Sequence, residues 1–213
     1  GKCYQPHDHQ AILAKYHKSG EKTILKAINT AMDTWHSWSV TPLQERTTIF
    51  RRAAELLAGP WRDTINAATM LNQSKNVFQA EIDAACELID FLRFNPHYMS
   101  NIYKEQPLSP EGMKNSLQYR PLEGFIFALS PFNFTSIAGN LCSSVALMGN
   151  TVVWKASRTQ IYSADIIMKE SEMAQYLIKT RKSIISSFNL DDPVKSGEKT
   201  IKNYLINIEN NNG

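Results

Sequence analysis

The sequence predicts an α/β protein in which amino-terminal helices precede a strand–helix–strand unit. Residues 125–129 form a short apolar run without alternation, which is typical of a strand buried on both faces of a parallel sheet. Residues 151–154 form a second run, rich in β-branched and aromatic side chains. Between the runs, four apolar residues recur at helical spacing: Ile137, Leu141, Val145 and Met148. A helix that joins two strands so closely implies that the strands are parallel.

The amino-terminal segment begins with a polar stretch. Residues 1–19 are predicted to be largely irregular, with a short strand at 11–14. From Glu21 onward the apolar residues keep helical spacing as far as His36, which predicts an amphipathic helix.

A second helix is predicted to start in the sequence Thr41-Pro42-Leu43-Gln44. Thr41 would be the N-cap, Pro42 the first helical residue and Gln44 the partner that closes a capping box. Gly59 and the proline after it should end this helix, and residues 61–71 continue with helical spacing.

A long helix is predicted over residues 76–103, broken or bent near Pro96. Asp83, Glu87 and Asp90 should lie toward a different face from its apolar stripe, and a solvated charge is the simplest interpretation of Glu87. The stripe predicted to face the core comprises Phe78, Ile82, Ala85, Ile89 and Leu92.

A loop is predicted at 106–114, followed by a possible strand at 116–120. These features suggest an amino-terminal helical region over 1–120 and a second domain from residue 121.

The ends of the two predicted parallel strands carry the polar residues of greatest interest, because ligands in such folds bind beyond the carboxyl ends of the strands. Residues 130–134 and 155–158 would both lie there. The Asn133 amide could point at an oxygen that gains negative charge, or it could cap the following helix. Lys155 ends a buried strand, where it could meet a hydroxylated or anionic ligand or extend its ammonium group into water.

Two motifs carry a resemblance to a known family. SPFNF, followed at this distance by VVWKAS, resembles the strand-end turns of the aldehyde dehydrogenase superfamily. More narrowly, YRPLEGFIFALSPFNF, ALMGN and AEIDAACELIDFLRFN are similar to the mitochondrial 1-pyrroline-5-carboxylate dehydrogenases. The resemblance extends over residues 5–169.

This resemblance implies the beginning of a Rossmann-like cofactor domain, with residues 121–169 as a partial NAD-binding domain. It also implies oxidation of L-glutamate γ-semialdehyde to glutamate with NAD during proline breakdown, in a homo-oligomer of the mitochondrial matrix. No transit peptide is visible in this chain, which opens with Gly1 rather than Met.

By the same resemblance, Asn133 is the residue expected to stabilise the oxyanion. The residues expected to contact the cofactor are Ser130, Lys155 and Ser157, with Lys155 bonded to the adenosine ribose. Glu87 and Phe134 are expected to border the aldehyde pocket.

Two residues depart from the family pattern. Ala156 stands where a proline is usual, which loosens the preset geometry of the turn. Arg158 stands where an acidic residue commonly lies near the ribose, so the choice between NAD and its phosphorylated form is left open.

After Lys169 the similarity fades into a polar tail rich in Lys, Ser, Ile and Asn, and residues 170–213 are predicted to be poorly ordered. The family's nucleophilic cysteine and general-base glutamate have no counterpart in this chain, so the isolated chain is expected to be catalytically inactive. The alternative is a noncatalytic fragment that binds a dinucleotide or joins other subunits.

Composition excludes several other classes. The formal charge of +3 is small and the basic residues are scattered, so no nucleic-acid partner is expected. No apolar run is long enough to span a bilayer, so membrane insertion is not expected. Three cysteines at wide spacing argue against a disulfide framework, and Cys3 with His7 and His9 falls short of a closed zinc site, so no metal is expected.

Overall fold

A computed structural model describes residues 1–169, and it has the expected α/β class. The polar tail predicted for 170–213 lies outside the described residues. In the described part the strands are β1 (Lys2–Gln5), β2 (Asp8–Lys15), β3 (Phe125–Leu129) and β4 (Thr151–Lys155). The helices are α1 (Glu21–Trp38), α2 (Leu43–Ala58), α3 (Arg62–Gln73), α4 (Val77–Ala80), α5 (Leu88–Lys104), α6 (Thr135–Leu147) and α7 (Ile161–Lys169), and a π-helical segment (Glu81–Glu87) joins α4 to α5.

The amino-terminal segment is an antiparallel hairpin of β1 and β2. The strand predicted at 11–14 lies within β2, but the prediction that the stretch is otherwise largely irregular was wrong. Backbone bonds between the two strands form whatever the polarity of the side chains, and most of these side chains are exposed. Cys3 is buried and accepts a hydrogen bond from the Asn72 amide of α3 at 3.3 Å, which ties the hairpin to the helical layer.

The starts and stops of the first helices agree with the sequence, but one cap does not. The N-cap of α2 is Pro42, and the Thr41 hydroxyl instead donates to the Ser37 carbonyl of α1 at 3.1 Å. A capping box is present at α4, where Asn76 and Gln79 exchange backbone-to-side-chain bonds of 3.0 and 2.9 Å.

The π-helical segment changes which face of the long helix is buried. A π turn closes i→i+5 bonds, so residues before it are rotated relative to residues after it. Phe78 and Ile82 were predicted to be in the core but are 76% and 61% exposed. Asp83 was predicted on another face but is only 4% exposed. The later stripe is buried as predicted, at Ala85, Ile89 and Leu92. Pro96 lies within α5 and does not end it.

Residues 105–124 connect α5 to β3 without helix or strand, so the strand predicted at 116–120 is not formed in the described chain. A strand needs a neighbour, and no described element pairs with this segment. Local contacts hold it instead, since the Leu117 N–H donates to Gln106 Oε1 at 2.7 Å and the Tyr119 ring stacks on Tyr103 with centroids 5.0 Å apart.

β3 and β4 pair in parallel as predicted, with Phe125 opposite Thr151 and Leu129 opposite Lys155. β4 is buried between α1 and α6. β3 is not buried on both faces as predicted: Phe127 and Leu129 are 55% and 59% exposed, because no described element covers that side of the strand.

The helix α6 connects the two strands and is bound at its carboxyl end by the amino-terminal helices. Arg46 Nη1 donates to the Leu147 carbonyl at 2.8 Å, and the Trp38 indole donates to the Ala146 carbonyl at 2.9 Å. These donors satisfy carbonyls that a helix end leaves unpaired. The face predicted to be apolar is only partly buried, whereas the most buried positions are mainly small: Thr135, Ser136, Ala138, Gly139, Ala146 and Leu147.

Gly149 lies just after the carboxyl end of α6 and has a φ of +90°, a conformation that favours glycine. A Cβ at this position would lie 2.6 Å from Pro121 Cγ and closer still to Arg46 Nη1.

We therefore expect Gly149→Ala to lower the free energy of unfolding by about 1–2 kcal/mol for the left-handed backbone, and by a further ~1–3 kcal/mol for overpacking. Chemical denaturation measures the change. Gly112→Ala is the matched control, because Gly112 also has positive φ (+77°) but has open space around it. Equal losses in the two variants would contradict the role of the Arg46 contact.

A second polar contact joins α3 to the π-helical segment. Arg62 Nε donates to Glu81 Oε1 at 2.9 Å, and Asn66 Nδ2 donates to Glu81 Oε2 at 2.5 Å. The hydrogen bonds from Arg62, and then that from Asn66, lower the pKa of Glu81 below its ordinary value of 4.5, against the opposing effect of burial.

This lowered pKa predicts a pH-dependent contribution to stability. A carboxyl group with a folded-state pKa below its unfolded value stabilises the fold above about pH 4.5, and the contribution is lost as the pH falls through the folded pKa. We expect the melting temperature of Glu81→Gln to be lower than that of the unmodified chain at pH 6, and the gap to narrow below pH ~4.5. Arg62→Met should weaken the same pH dependence, because the hydrogen bond from Asn66 to Glu81 remains. Parallel pH profiles for the unmodified and Glu81→Gln chains would contradict this assignment.

Candidate functional site

The ends of β3 and β4 lie side by side, as the sequence predicted. Leu129 is opposite Lys155, and the Ser130 N–H donates to the Lys155 carbonyl at 3.2 Å, one residue beyond the last strand pair. The turn after β3 and the turn after β4 therefore share the carboxyl edge of the sheet, where ligands of such folds bind.

Ser130 has a structural contact at this edge. It is 4% exposed, and its hydroxyl oxygen accepts a hydrogen bond from the Trp154 indole at 3.0 Å. That bond fixes the first residue of the turn to β4. A contact between Ser130 and a cofactor remains a prediction.

The turn after β4 offers a cation and hydroxyl groups. Lys155 and Ser157 are partly buried, and Arg158 is exposed. The Ser157 hydroxyl lies 3.3 Å from that of Thr159, and the Ser157 carbonyl accepts from the Gln160 N–H at 3.0 Å, which leads into α7. An ammonium group and hydroxyls are suitable partners for the ribose hydroxyls of a dinucleotide, so these side chains fit NAD.

Asn133 is exposed and precedes Phe134, which is the N-cap residue of α6. The interpretation of Asn133 as the helix cap was therefore wrong. The first two amides of α6 bind a carboxylate from elsewhere: Thr135 N–H donates to Asp83 Oδ2 at 3.0 Å, and Ser136 N–H donates to Asp83 Oδ1 at 3.1 Å.

Asp83 is the residue that sequence reasoning missed. Its side chain is buried at the positive end of the α6 dipole, where it accepts from two backbone amides and lies 2.7 Å from the Ser136 hydroxyl. Lys75 Nζ also lies 2.7 Å from Asp83 Oδ2. No clear signal in the sequence indicated this partner, because Asn133 offered a local cap, and only the structure shows that α6 has no side-chain cap of its own and takes its acceptor from another segment.

Lys75 connects this carboxylate to the turn. Its Nζ donates to the Asn133 carbonyl at 2.6 Å and lies 4.5 Å from the centroid of the Phe134 ring. Phe134 remains 42% exposed. Glu87 is partly buried, and its Oε2 lies 2.6 Å from the Ser136 hydroxyl, whose single proton is shared between Glu87 and Asp83. Glu87 is therefore not the fully solvated charge of the simplest interpretation. Asn133, Phe134 and Glu87 are thus brought together at the start of α6.

None of the three cysteines, all within the described residues, has an activated thiol. Cys3 is 2% exposed. Burial raises the pKa of the Cys86 thiol, and the neighbouring Glu81 carboxylate raises it further. Burial raises the pKa of Cys142 well above its usual value. Thiols of this kind stay protonated at neutral pH and are poor nucleophiles.

Residues 1–169 lack two further kinds of feature, a membrane-spanning helix and a metal-binding cluster. No helix there is both long and apolar enough to cross a membrane. Nor does that part of the chain contain a group of three His, Cys, Asp or Glu side chains that could hold a metal ion.

Comparison with curated proteins gives close relatives. A probable delta-1-pyrroline-5-carboxylate dehydrogenase of Schizosaccharomyces pombe is 46% identical over 165 residues, which cover 76% of this chain and 30% of that protein. The mitochondrial delta-1-pyrroline-5-carboxylate dehydrogenase of Homo sapiens is 44% identical over 177 residues, or 82% of this chain and 31% of the human protein. The chain thus spans about 30% of the length of these relatives.

Solved structures agree with the fold. The Delta-pyrroline-5-carboxylate dehydrogenase from Mycobacterium tuberculosis, bound with NAD, superposes with a TM-score of 0.75 at 49% identity, covering 84% of this chain and 32% of that one. A 1-pyrroline-5-carboxylate dehydrogenase from Thermus, at 20% identity and a TM-score of 0.71, shares the fold. Residues 1–176 match the sequence pattern of the aldehyde dehydrogenase family. Because this match covers most of the chain, and because the fold and the paired strand ends agree with it, the chain belongs to the aldehyde dehydrogenase family.

Proposed function

We propose that this chain is the amino-terminal part of an NAD-dependent 1-pyrroline-5-carboxylate dehydrogenase, which oxidises L-glutamate γ-semialdehyde to glutamate in proline catabolism. The observation that carries the proposal is the exposed Asn133, on a turn held beside the end of β4 and Lys155. The names of the similar proteins agree with this substrate. Several of those names include "mitochondrial", which supports the same location for this protein.

In this proposal the Asn133 amide donates a hydrogen bond to the aldehyde oxygen as that oxygen gains negative charge. A donor that is already in place stabilises the charged state without reorganising as the charge develops. Glu87 and Phe134, which lie close by in the structure, border the pocket for the aldehyde.

Lys155 binds the ribose of the cofactor, and Ser130 and Ser157 also contact the cofactor. NAD, when bound, accepts the hydride from the substrate carbon. The residues of this chain hold the cofactor and orient the carbonyl group, but they do not supply the attacking thiol, because its three cysteines are buried or have raised pKa values. We therefore expect the isolated chain to bind NAD without turning over the aldehyde.

A second function is favoured by the segment between α5 and β3. Several large apolar side chains are exposed there: Leu108, Met113, Leu117 and Leu122. Exposed apolar side chains of this kind are suited to association with other subunits. Such a noncatalytic role would require the chain to co-purify with an intact homologue, and its failure to do so would exclude that role.

Binding of NAD can be measured on the 213-residue chain by thermal unfolding. A ligand that binds only the folded state raises stability, by about 2.7 kcal/mol at 100 times its Kd. We expect saturating NAD to raise the melting temperature, and Lys155→Met to reduce the rise. Lys18→Met, which changes an exposed lysine in the connection between β2 and α1, is the control and should retain the full rise. The absence of a rise with NAD would exclude the cofactor role.

The catalytic role of Asn133 is tested in the full-length enzyme that we propose. Asn133→Ala should lower kcat by about 10²–10³-fold, since one oxyanion donor is lost. KM should change little, because the donor acts mainly on charge that develops in the transition state. Formation of NADH from L-glutamate γ-semialdehyde measures both constants. Asn29→Ala, at an exposed position of α1, is the control. Unchanged kcat in Asn133→Ala would overturn the proposed mechanism.

A further inference from the structure

The turn that carries Asn133 is held by side chains from three separate parts of the chain. The backbone groups of four consecutive residues, 133–136, each bind a side chain from outside the turn. Lys75 donates to the Asn133 carbonyl at 2.6 Å, and Gln160 donates to the Phe134 carbonyl at 2.8 Å. The next two amides donate to Asp83.

Lys75 and Asp83 act as one unit in this arrangement. Their side chains are 16% and 5% exposed, and Nζ lies 2.7 Å from Oδ2. Asp83 binds the first amides of α6, and Lys75, which contacts Asp83, binds the carbonyl of Asn133. The two bonds therefore set the direction of the peptide groups on both sides of Phe134.

Gln160 adds a contact from the segment that follows β4. It is fully buried, and its Nε2 donates to the Phe134 carbonyl, which already accepts the Ala138 N–H at 3.2 Å. Its Oε1 has no hydrogen-bond partner among the described residues. A buried amide with an unpaired oxygen is costly, and an apolar side chain of the same shape would avoid that cost. The contribution of Gln160 is therefore orientation of the turn rather than stability.

We propose that Lys75, Asp83 and Gln160 are positioning residues that fix the backbone of the turn at residues 133–136. By fixing that backbone they hold the side-chain amide of Asn133 in the direction needed to meet a developing oxyanion. This inference rests on the proposed function for its catalytic meaning, but the fixed geometry of the turn can be measured without any activity. A small misplacement of a catalytic group costs rate rather than binding, so loss of the positioning contacts should lower kcat more than it raises KM.

The first test uses the 213-residue chain with ¹⁵N relaxation and thermal unfolding. We expect the backbone order parameters of Asn133 and Phe134 to fall from about 0.85 to below about 0.6 in Lys75→Met. Lys75→Arg keeps a cation with several N–H donors and should restore the order. Gln160→Met should also lower the order while leaving the melting temperature unchanged, a combination that a merely structural role would not give. Lys18→Met and Gln118→Met, both at exposed positions, are the controls.

Unchanged order parameters in both Lys75→Met and Gln160→Met would overturn the inference. If Lys75→Met does not fold, Gln160→Met decides alone, because its side chain replaces the amide without leaving a charge unpaired.

The second test separates this inference from the proposed function. In the full-length enzyme, Gln160→Met should lower kcat with little change in KM, by a smaller factor than Asn133→Ala. If Asn133→Ala has full activity, the proposed oxyanion role fails, and the order parameters alone then decide whether the three residues fix the turn. If Asn133→Ala is impaired but Gln160→Met and Lys75→Met keep normal kcat and normal order, the positioning inference fails and the proposed function remains.

Discussion

The fold depends on how the helix α6 is held at its two ends. The Asp83 carboxylate binds the first amides of this helix, and the Arg46 guanidinium binds a carbonyl of its last turn. Each charge has the sign that the helix dipole favours, and each satisfies backbone groups that a helix leaves unpaired at its ends. Both residues come from the amino-terminal helical layer. The helix that connects β3 and β4 is therefore held at both ends by side chains of the amino-terminal helical layer.

The π-helical segment makes this arrangement possible. Without its wider turn, Asp83 would keep the helical register that the sequence suggests and would face away from α6. The cost of burying its charge is offset by two backbone amides, a hydroxyl group and the Lys75 ammonium group. A regular helix would bury Phe78 and Ile82 instead, and these side chains are exposed. The π-helical segment thus leaves the apolar side chains of Phe78 and Ile82 exposed and places the Asp83 carboxylate against α6, next to the proposed site.

This arrangement leaves different polar groups on the two turns at the carboxyl edge of the sheet. Asp83 occupies the amino-terminal end of α6, so the amides there already have an acceptor. The groups suited to a cofactor are on the other turn, at Lys155 and Ser157. Asn133 neither caps the helix nor lies buried, and it is exposed on the turn that follows β3. In the proposed function, Asn133 meets the substrate, while Lys155 and Ser157 hold the cofactor together with Ser130.

The sequence alone determined the elements whose signals are local. Apolar spacing predicted α1, α5 and the crossover helix α6, and the two apolar runs predicted the parallel strands that bring the turns at Ser130 and Lys155 together. Only the tertiary structure decided which residues distant in the sequence contact each other. The hairpin of β1 and β2 forms through backbone pairing that side-chain polarity does not report. The burial of Asp83 depends on a π turn, and its role depends on a helix 52 residues away in the chain. Propensity and periodicity are properties of neighbouring residues, whereas a buried charge is stable only where distant groups converge on it.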